Sequence, residues 1–254
     1  MSATRRPTFR PRLWPTLGTL AGLAILLSLG SWQYRRYAEK LAREATRAER
    51  LEAPPLTLET LEGRDLEQLN YRKVTVRGRL DPSHTILFKH RQLQKRPGFW
   101  LANPLRLPSG QVLLVNRGWV PFDRGAELAE QLPGSPEPAD YTGLLHLLPR
   151  NISDTRTRRA LERGQLELTS GPSQWHTYDV EGIYEALPQE PVHERAVLVL
   201  GPSHSGDPFP IASTDHITKP YMTAERHKGY FTFWFTTAGA LFLLYLAASF
   251  GLVG

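Results

Sequence analysis

Three side chains near the end of the chain have the types and the spacing of a ligand site on a helix. His227, Tyr230 and Trp234 stand three and then four residues apart, so one helix face would carry all three. A neutral imidazole is a good transition-metal ligand, and flat aromatic rings supply apolar walls for a cofactor. Since an uncharged run begins just after the histidine, the same residues also match an ordinary aromatic belt at a membrane boundary. The residues alone leave both interpretations open.

Two uncharged runs must position these side chains. No charged residue occurs in residues 13–34 or in residues 230–254. A helix rises about 1.5 Å per residue, so each run is long enough to cross the roughly 30 Å hydrocarbon core of a bilayer. We therefore predict transmembrane helices over 13–34 and 230–254, with a tail over 1–12 on one side of the membrane and a domain over 35–229 on the other.

The first run has an alternative interpretation as a cleaved signal peptide. Arginines precede the run, and Ser28-Leu29-Gly30 is a small-x-small triplet of the kind that signal peptidases cut. The length of the run and a helical pattern that continues through residues 36–50 favour a retained anchor. Basic residues are more numerous on the domain side of the runs, so the positive-inside rule would place the domain in the cytoplasm. This rule weakens for loops longer than roughly 60 residues, so charge does not settle the orientation.

The intervening residues predict a β-rich domain. In YRKVTVRGRL the side chains of Val74, Val76 and Leu80 alternate with polar ones, which is typical of a half-buried strand. Further strands are predicted over residues 84–91, 110–122, 141–148 and 195–201, and short helices near residues 127 and 179–187. Many strands separated by turn residues indicate an antiparallel sheet curled toward a barrel. The predicted fold class is an α+β membrane protein in which two transmembrane helices flank a β-rich, barrel-like extracytoplasmic domain.

Composition excludes several kinds of chemistry. The chain has no cysteine, which excludes disulfides and thiolate catalysis. It has no His-Glu-x-x-His zinc motif, no phosphate-binding loop and no dinucleotide fingerprint, so no enzyme activity is predicted. A membrane-tethered enzyme whose site these motifs do not reveal stays as an alternative. The net charge of +6 fits an anionic lipid surface, and since no nucleic-acid-binding motif is present we expect no nucleic-acid partner.

Several ordered motifs connect the chain to a known family. They are LGSWQYRRYAEK (29–40), YRKVTVRGRL (71–80), PGFWLANPL (97–105), VNRGWVP (115–121) and the helix-spaced His227, Tyr230 and Trp234. In this order, between two apolar runs, these segments resemble the Surfeit locus protein 1 family. The resemblance extends over roughly residues 13–246 and is weak over residues 126–201.

The resemblance implies a role in respiratory-chain assembly. Members of the family look like membrane-bound assembly factors for cytochrome c oxidase, whose soluble domain faces the bacterial periplasm or the mitochondrial intermembrane space. Bacterial members are implicated in binding haem a and delivering it to oxidase subunit I, so subunit I, haem a synthase and membrane lipid are the expected partners. Since no long Arg- and Ser-rich presequence precedes the first run, we expect the bacterial inner membrane, with the domain in the periplasm. The alternative is a haem-free scaffold that holds subunit I or haem a synthase.

The resemblance also assigns candidate site residues. His227 corresponds to the family's candidate axial ligand of the haem iron. Tyr230 and Trp234 would wall the cofactor, and Trp32 and Arg36, at the same membrane boundary, complete the predicted haem a site. The chain differs from the family pattern within the motif, where Phe231 and Phe233 replace small or hydroxyl residues.

The VNRGWVP motif has a separate predicted role. Gly118 would permit a bulge or a close approach of two backbones. Trp119 would dock the domain on the membrane or on the helices. Arg117 is either a member of a structural ion pair or a partner contact, and we favour the ion pair.

Overall fold

A computed structural model describes residues 8–58, 63–81, 83–132, 137–150, 152–165, 172–202, 209–218 and 223–252. The chain divides into two compact units, Met1–Thr46 with Pro220–Gly254, and Arg47–Lys219. Most of the predicted cytoplasmic tail, residues 1–7, lies outside the described residues.

The first unit consists of two long helices. Helix α1 is Leu13–Glu52 and helix α7 is Ala224–Ser249, and both are long and apolar enough to cross a membrane. Few of their side chains are buried, and many of the apolar ones are exposed. Helix α1 continues well past residue 34, as the helical pattern of residues 36–50 predicts.

Helices α1 and α7 pack antiparallel along one stripe. Residues later in α1 contact residues earlier in α7. The contacts are Arg10 N to Ser249 O (2.8 Å), Thr16 Oγ1 to Tyr245 Oη (2.7 Å), Gly22 against Leu241, and Gly30 against Phe235. A Cβ added at Gly30 would lie 2.8 Å from Phe235 Cε1, so the absence of a side chain there allows the ring to pack closely.

The second unit is built on a single eight-stranded sheet. Its strands are β1 Leu56–Leu58, β2 Lys73–Leu80, β3 Ile86–Leu93, β4 Arg96–Arg106, β5 Val112–Pro121, β6 Ala139–Leu147, β7 Ser173–Trp175 and β8 Ala196–Leu200. Its short helices are α2 Leu66–Leu69, α3 Gly125–Gln131, α4 Thr155–Glu162, α5 Val180–Ala186 and α6 Asp215–Thr218. The strand order is β1-β2-β6-β8-β5-β4-β3-β7, with an additional pairing between β2 and β4.

The additional pairing of β2 with β4 closes five strands into a ring of hydrogen-bonded neighbours, which we call the circuit. Arg79 pairs with Arg106 and Leu80 with Leu105, so β2, β6, β8, β5 and β4 return to β2. All five strands contribute to one buried cluster, through Val74, Val76, Leu80, Leu105, Leu113, Val115, Leu145, Leu147, Ala196, Leu198 and Leu200. A cluster shared by every strand of the circuit lies inside it, and its burial supplies the main favourable free energy of folding for this unit.

The outer faces of the circuit are covered by the short helices and by β3 and β7. A second apolar cluster joins Phe88, Leu114, Trp175 and Val197 to Ile183 of α5. A third joins Leu101 and Val120 to Leu128 of α3. The sheet is therefore packed on both sides over much of its area, which explains why β5 and β8 are apolar nearly throughout.

The prediction of a purely antiparallel sheet is wrong. Strand β1 is parallel to β2, β7 to β3, and β8 to β5. The sequence pattern of β5 and β8 reports burial on both faces and carries no information about strand direction. The predicted strands over 71–80, 84–91 and 110–122 correspond to β2, β3 and β5, and the two predicted short helices correspond to α3 and α5.

The VNRGWVP motif lies in β5. The prediction for Gly118 is confirmed, because the β4–β5 register shifts beside it, its φ is +134°, and an added Cβ would lie 2.5 Å from Ile211 O. The membrane-docking prediction for Trp119 is wrong, since this residue is only 2 % exposed and packs against Phe209. Arg117 donates to the Asn103 amide oxygen at 3.3 Å and has no carboxylate partner among the described residues, so the ion-pair interpretation is also wrong.

We predict that Gly118→Ala destabilises the protein more than Gly110→Ala does. Gly110 also has a positive φ, of +88°, but nothing lies within 4 Å of an added Cβ. Its substitution should cost about 1–2 kcal/mol from backbone strain alone. Substitution of Gly118 adds a collision with backbone and should cost about 3 kcal/mol or more. The unfolding step of the sheet domain, followed on heating the full chain in detergent, measures both, and equal losses would contradict the close approach.

Candidate functional site

His227 lies in the first turn of α7, and contacts from α1 hold that turn. The helix begins at Ala224 because Thr223 is extended, with φ −85° and ψ 160°. Thr223 makes no side-chain capping bond, and the carboxylate of Glu44 accepts from the backbone N–H of Ala224 at 3.0 Å instead. An anionic group at this end also complements the helix dipole.

The imidazole of His227 is held by Gln33 of α1. His227 Nδ1 lies 2.9 Å from Gln33 Oε1, and both side chains are half-buried. An amide oxygen only accepts, so Nδ1 carries the proton and donates it to Gln33. The Nε2 lone pair of His227 is then available for a metal. Histidines that bind metals in proteins commonly donate their second ring N–H in this way.

Tyr230 and Trp234 lie on the same flank of α7 as His227. At about 100° per residue, Tyr230 is turned about 60° from His227 and Trp234 about 20°. Tyr230 is 49 % exposed, whereas Trp234 is half-buried and its ring packs edge-on against Phe233, with centroids 5.1 Å apart. The two rings therefore flank the histidine as the sequence pattern predicts, although no direct contact of either with His227 is among those described.

Arg36 and Trp32 occupy different sides of α1. Arg36 is one turn after Gln33, about 60° away around the helix, and its guanidinium donates to Glu39 Oε2 at 3.1 Å. Trp32 is two residues after Gly30, which faces α7, so Trp32 lies on the opposite side of α1 and is 47 % exposed. Of the five predicted site residues, His227, Tyr230, Trp234 and Arg36 share one flank of the helix pair, and Trp32 does not join them.

An aromatic cluster beside His227 was missed by the sequence reasoning. Phe231 packs against Tyr34 and Tyr37 of α1, with ring centroids 5.5 and 5.4 Å apart, and against Phe235 at 6.2 Å. Phe231 is one of the positions at which the chain differs from the family pattern. The two tyrosines of α1 supply the surface that accommodates this larger side chain, and their spacing of three residues was the available signal.

A groove of about 500 Å³ lies elsewhere on the helix pair. It is lined by Leu27, Ser28, Ser31, Tyr34, Arg35 and Phe235. None of the five predicted site residues lines it. The candidate ligand His227 is therefore presented on an open flank of the helix pair and does not face this groove.

Two half-buried histidines of the second unit have a strongly lowered pKa. His146 contacts Tyr71, with ring centroids 5.4 Å apart, and His216 packs on Trp100 at 3.7 Å. Burial lowers the pKa of His146 to about 4. Burial also lowers the pKa of His216 to about 3, with smaller contributions from the charges of His146 and Arg91. Both side chains are therefore neutral at pH 7.

The described residues contain no group of three or more His, Asp and Glu side chains that could hold a metal ion. A metal-dependent hydrolytic centre of the usual three-ligand kind is thus absent from the described part of the chain. His227 is the histidine that the helix pair presents with an oriented ring and an available nitrogen.

The fold and the site together define a class of protein. Two apolar helices that are compatible with membrane anchoring flank a sheet domain, and one of them presents an oriented histidine near its start. A family model described as the SURF1 family matches residues 20–239, and the chain belongs to this family. The resemblance identified from the ordered motifs is confirmed.

Relatives of the chain occur in eukaryotes and in bacteria. The SURF1-like protein of Dictyostelium discoideum is 23% identical over 254 residues, which cover 87% of this chain and 91% of that protein. Surfeit locus protein 1 of Gallus gallus is 28% identical over 70% of this chain and 60% of its own length. The SURF1-like protein of Rickettsia felis is 32% identical over 41% of this chain and 45% of its own length.

We predict that acid destabilises the fold through His146 and His216. An unfolded histidine takes up a proton near pH 6.5, whereas His146 and His216 stay neutral in the fold down to about pH 4 and 3. Stability should therefore fall by about 1.4 kcal/mol per pH unit for each histidine as the pH drops from 6.5 toward 4.

The effect is measured on the full chain as the temperature at which the sheet domain unfolds, between pH 7.5 and pH 4.5. The double variant His146→Leu, His216→Phe should show a shallower dependence on pH than the wild type over this interval. A double variant with an unchanged slope would show that other groups govern the acid response.

Proposed function

We propose that this chain is an assembly factor for cytochrome c oxidase that binds haem a transiently and assists its insertion into oxidase subunit I. One observation carries the proposal, namely the bond from His227 Nδ1–H to Gln33 at 2.9 Å, which leaves Nε2 free. Membership of the SURF1 family supplies the biological context. The role is binding and transfer, and no enzymatic step is assigned to the chain.

His227 is the proposed axial ligand of the haem iron, and Gln33 is a positioning residue. Haem a supplies an iron atom with an open axial position and a hydrophobic tail. Imidazole suits that iron, and the protein's contribution is to fix the tautomer and the direction of the ring before binding. Because Gln33 and His227 are on different helices, the orientation of the ligand depends on the packing of α1 against α7.

The positions of the other predicted residues support a role in haem binding to different degrees. Trp234 lies two turns along α7 from His227 on nearly the same side, so its ring and that of Tyr230 are the proposed apolar walls. Arg36 is the proposed partner of a haem propionate, which would replace the exposed carboxylate of Glu39 as the acceptor. Trp32 remains in the proposed site only as a boundary residue on the far side of α1.

The transient character of binding agrees with the openness of the site. His227 is half-buried and Tyr230 is half exposed, so the flank is accessible to a partner protein. A haem held at such a flank would be covered by lipid or by subunit I and would pass to the oxidase without an unfolding step. A resident cofactor, in contrast, is normally enclosed over most of its surface.

The helix pair and the family support a proposal for the localisation. We propose that α1 and α7 span the bacterial inner membrane, that the barrel-like sheet domain lies in the periplasm, and that the termini share the cytoplasmic side. The antiparallel contact of Arg10 with Ser249 supports termini on one side. Oxidase subunit I, haem a synthase and membrane lipid are the proposed partners.

The first experiment compares haem content in wild type and His227→Ala. The full chain is purified in detergent from a host that makes haem a and lacks its own copy of the protein. Wild type should carry haem a, identified by absorption and by extraction, and His227→Ala should lose most of it at equal folded yield. The matched control is His193→Ala, which removes a half-buried histidine of the second unit and should retain haem.

Two outcomes contradict the haem proposal. A wild type without pigment, from cells shown to contain haem a, would favour the haem-free scaffold that holds subunit I or haem a synthase. Haem retained in His227→Ala would exclude this histidine as the ligand. Co-purification of subunit I with His227→Ala separates the scaffold role from haem binding.

A second prediction concerns Gln33. Gln33→Leu leaves the Nδ1–H of His227 without its acceptor and should weaken haem binding by about 10–100-fold. Gln33→Glu keeps an acceptor, so it should restore binding and shift the haem reduction potential to more negative values, since a charged acceptor makes the imidazole a stronger donor. Spectroelectrochemical titration checks this, and equal affinity in the wild type and Gln33→Leu would exclude the positioning role.

A further inference from the structure

Two histidines of the sheet domain face each other across neighbouring strands. His90 Nε2 lies 3.5 Å from His176 Nδ1, and the ring planes are inclined by 28° with centroids 5.7 Å apart. We refer to His90 and His176 as the histidine pair. Both belong to the second unit, and neither has a role in the proposed haem site.

A β-bulge brings His90 to this position. In the β3–β4 ladder Phe88 pairs with Trp100 and Arg91 with Gly98, so Lys89 and His90 together oppose one residue of β4. His90 has a φ of +57°, which is uncommon for a residue other than glycine. Such a conformation costs free energy and persists only where the surroundings enforce it.

The position of His176 is fixed by a buried carboxylate. Strand β7 runs parallel to β3 through the pair Phe88–Trp175, so His176 follows directly at the end of that pairing. Its backbone N–H donates to Asp154 Oδ2 at 2.6 Å, and Asp154 also accepts from the N–H groups of Thr157 and Thr177. The backbone on both sides of the histidine pair is thus held by independent means.

The separation of the two nitrogens matches shared metal coordination. Imidazole nitrogens bind Zn²⁺ at about 2.0–2.1 Å, and two such bonds at the tetrahedral angle place the nitrogens about 3.3 Å apart. The histidine pair is within a few tenths of an ångström of that value. At 3.5 Å the pair is at the outer limit of a hydrogen bond, so direct bonding between the rings is weak.

The arginine next to His90 in sequence is engaged with an aromatic ring. Arg91, the next residue after His90, turns its guanidinium on to Trp100, with its Cζ 4.7 Å from the ring centroid. The exposed ring of His90 leaves the remaining coordination positions open to water or to a ligand from a partner. No third His, Asp or Glu joins the pair among the described residues, so the described part of the chain supplies two ligands.

We propose that the histidine pair is a binding site for a divalent transition metal ion, with two imidazole ligands and the remaining positions open. Imidazole sites bind Cu²⁺ most tightly among the first-row divalent ions, with Zn²⁺ weaker. The site is separate from His227 and does not depend on haem binding.

The test is a Cu²⁺ titration of the full chain in detergent, purified without a histidine tag and followed by electron paramagnetic resonance. The wild type should bind Cu²⁺ at a site whose spectrum shows coupling to imidazole nitrogen. His90→Gln and His176→Gln should each weaken this binding at least about tenfold, equivalent to about 1.4 kcal/mol. His193→Gln is the matched control and should bind Cu²⁺ as the wild type does.

The outcomes separate this proposal from the haem proposal. His227→Ala should leave the tight Cu²⁺ site intact while it removes haem. If the double variant His90→Gln, His176→Gln binds Cu²⁺ as tightly as the wild type, the proposal is overturned. It is equally overturned if His193→Gln or His227→Ala removes the tight site.

Discussion

The packing of α1 against α7 is the contact on which the candidate site depends. Gly30 allows Phe235 to approach closely, and one turn further along α1 Gln33 meets His227. A side chain at position 30 would separate the helices, and the imidazole would lose the acceptor that fixes its tautomer. The chemistry proposed for His227 therefore depends on the apolar contact between Gly30 and Phe235, although neither of these residues is a ligand.

The sheet domain obeys a different constraint. The short pairing of β2 with β4 closes the circuit of strands, and the apolar residues of five strands then share one interior. With the interior filled by side chains, groups that could bind a ligand lie outside it, and a bulge is one place where such groups meet. The histidine pair occurs at such a bulge, where an extra residue redirects a side chain away from the regular alternation.

Sequence reasoning succeeded where a single local pattern decides the outcome. The uncharged runs, the alternation of Val74, Val76 and Leu80, and the glycine of VNRGWVP each lead to the observed local structure. It failed where distant residues decide. The burial of Trp119 and the parallel pairings depend on segments far apart in the chain, and no local pattern specifies them. The partner of Arg117 lies on the preceding strand β4, and it depends on the β4–β5 register.

The candidate site was likewise predictable in its local part and unpredictable in its contact between helices. Helical spacing places His227, Tyr230 and Trp234 on one flank, as the sequence predicts. The role of Gln33 required knowledge of the register between α1 and α7. Its identity as an amide acceptor was visible in the motif, but its partner was not.

The exposed apolar surface of the helix pair has a consequence for cooperativity. Side chains such as Leu20, Ile25, Leu243 and Leu244 are each about 60 % exposed, since the two helices meet along one stripe only. The helix pair thus takes much of its cohesion from its surroundings, whereas the sheet domain encloses its own core. Two parts with such different sources of stability do not melt as one two-state system. In detergent the protein should lose its structure in two separate steps, and a single unfolding free energy would describe neither.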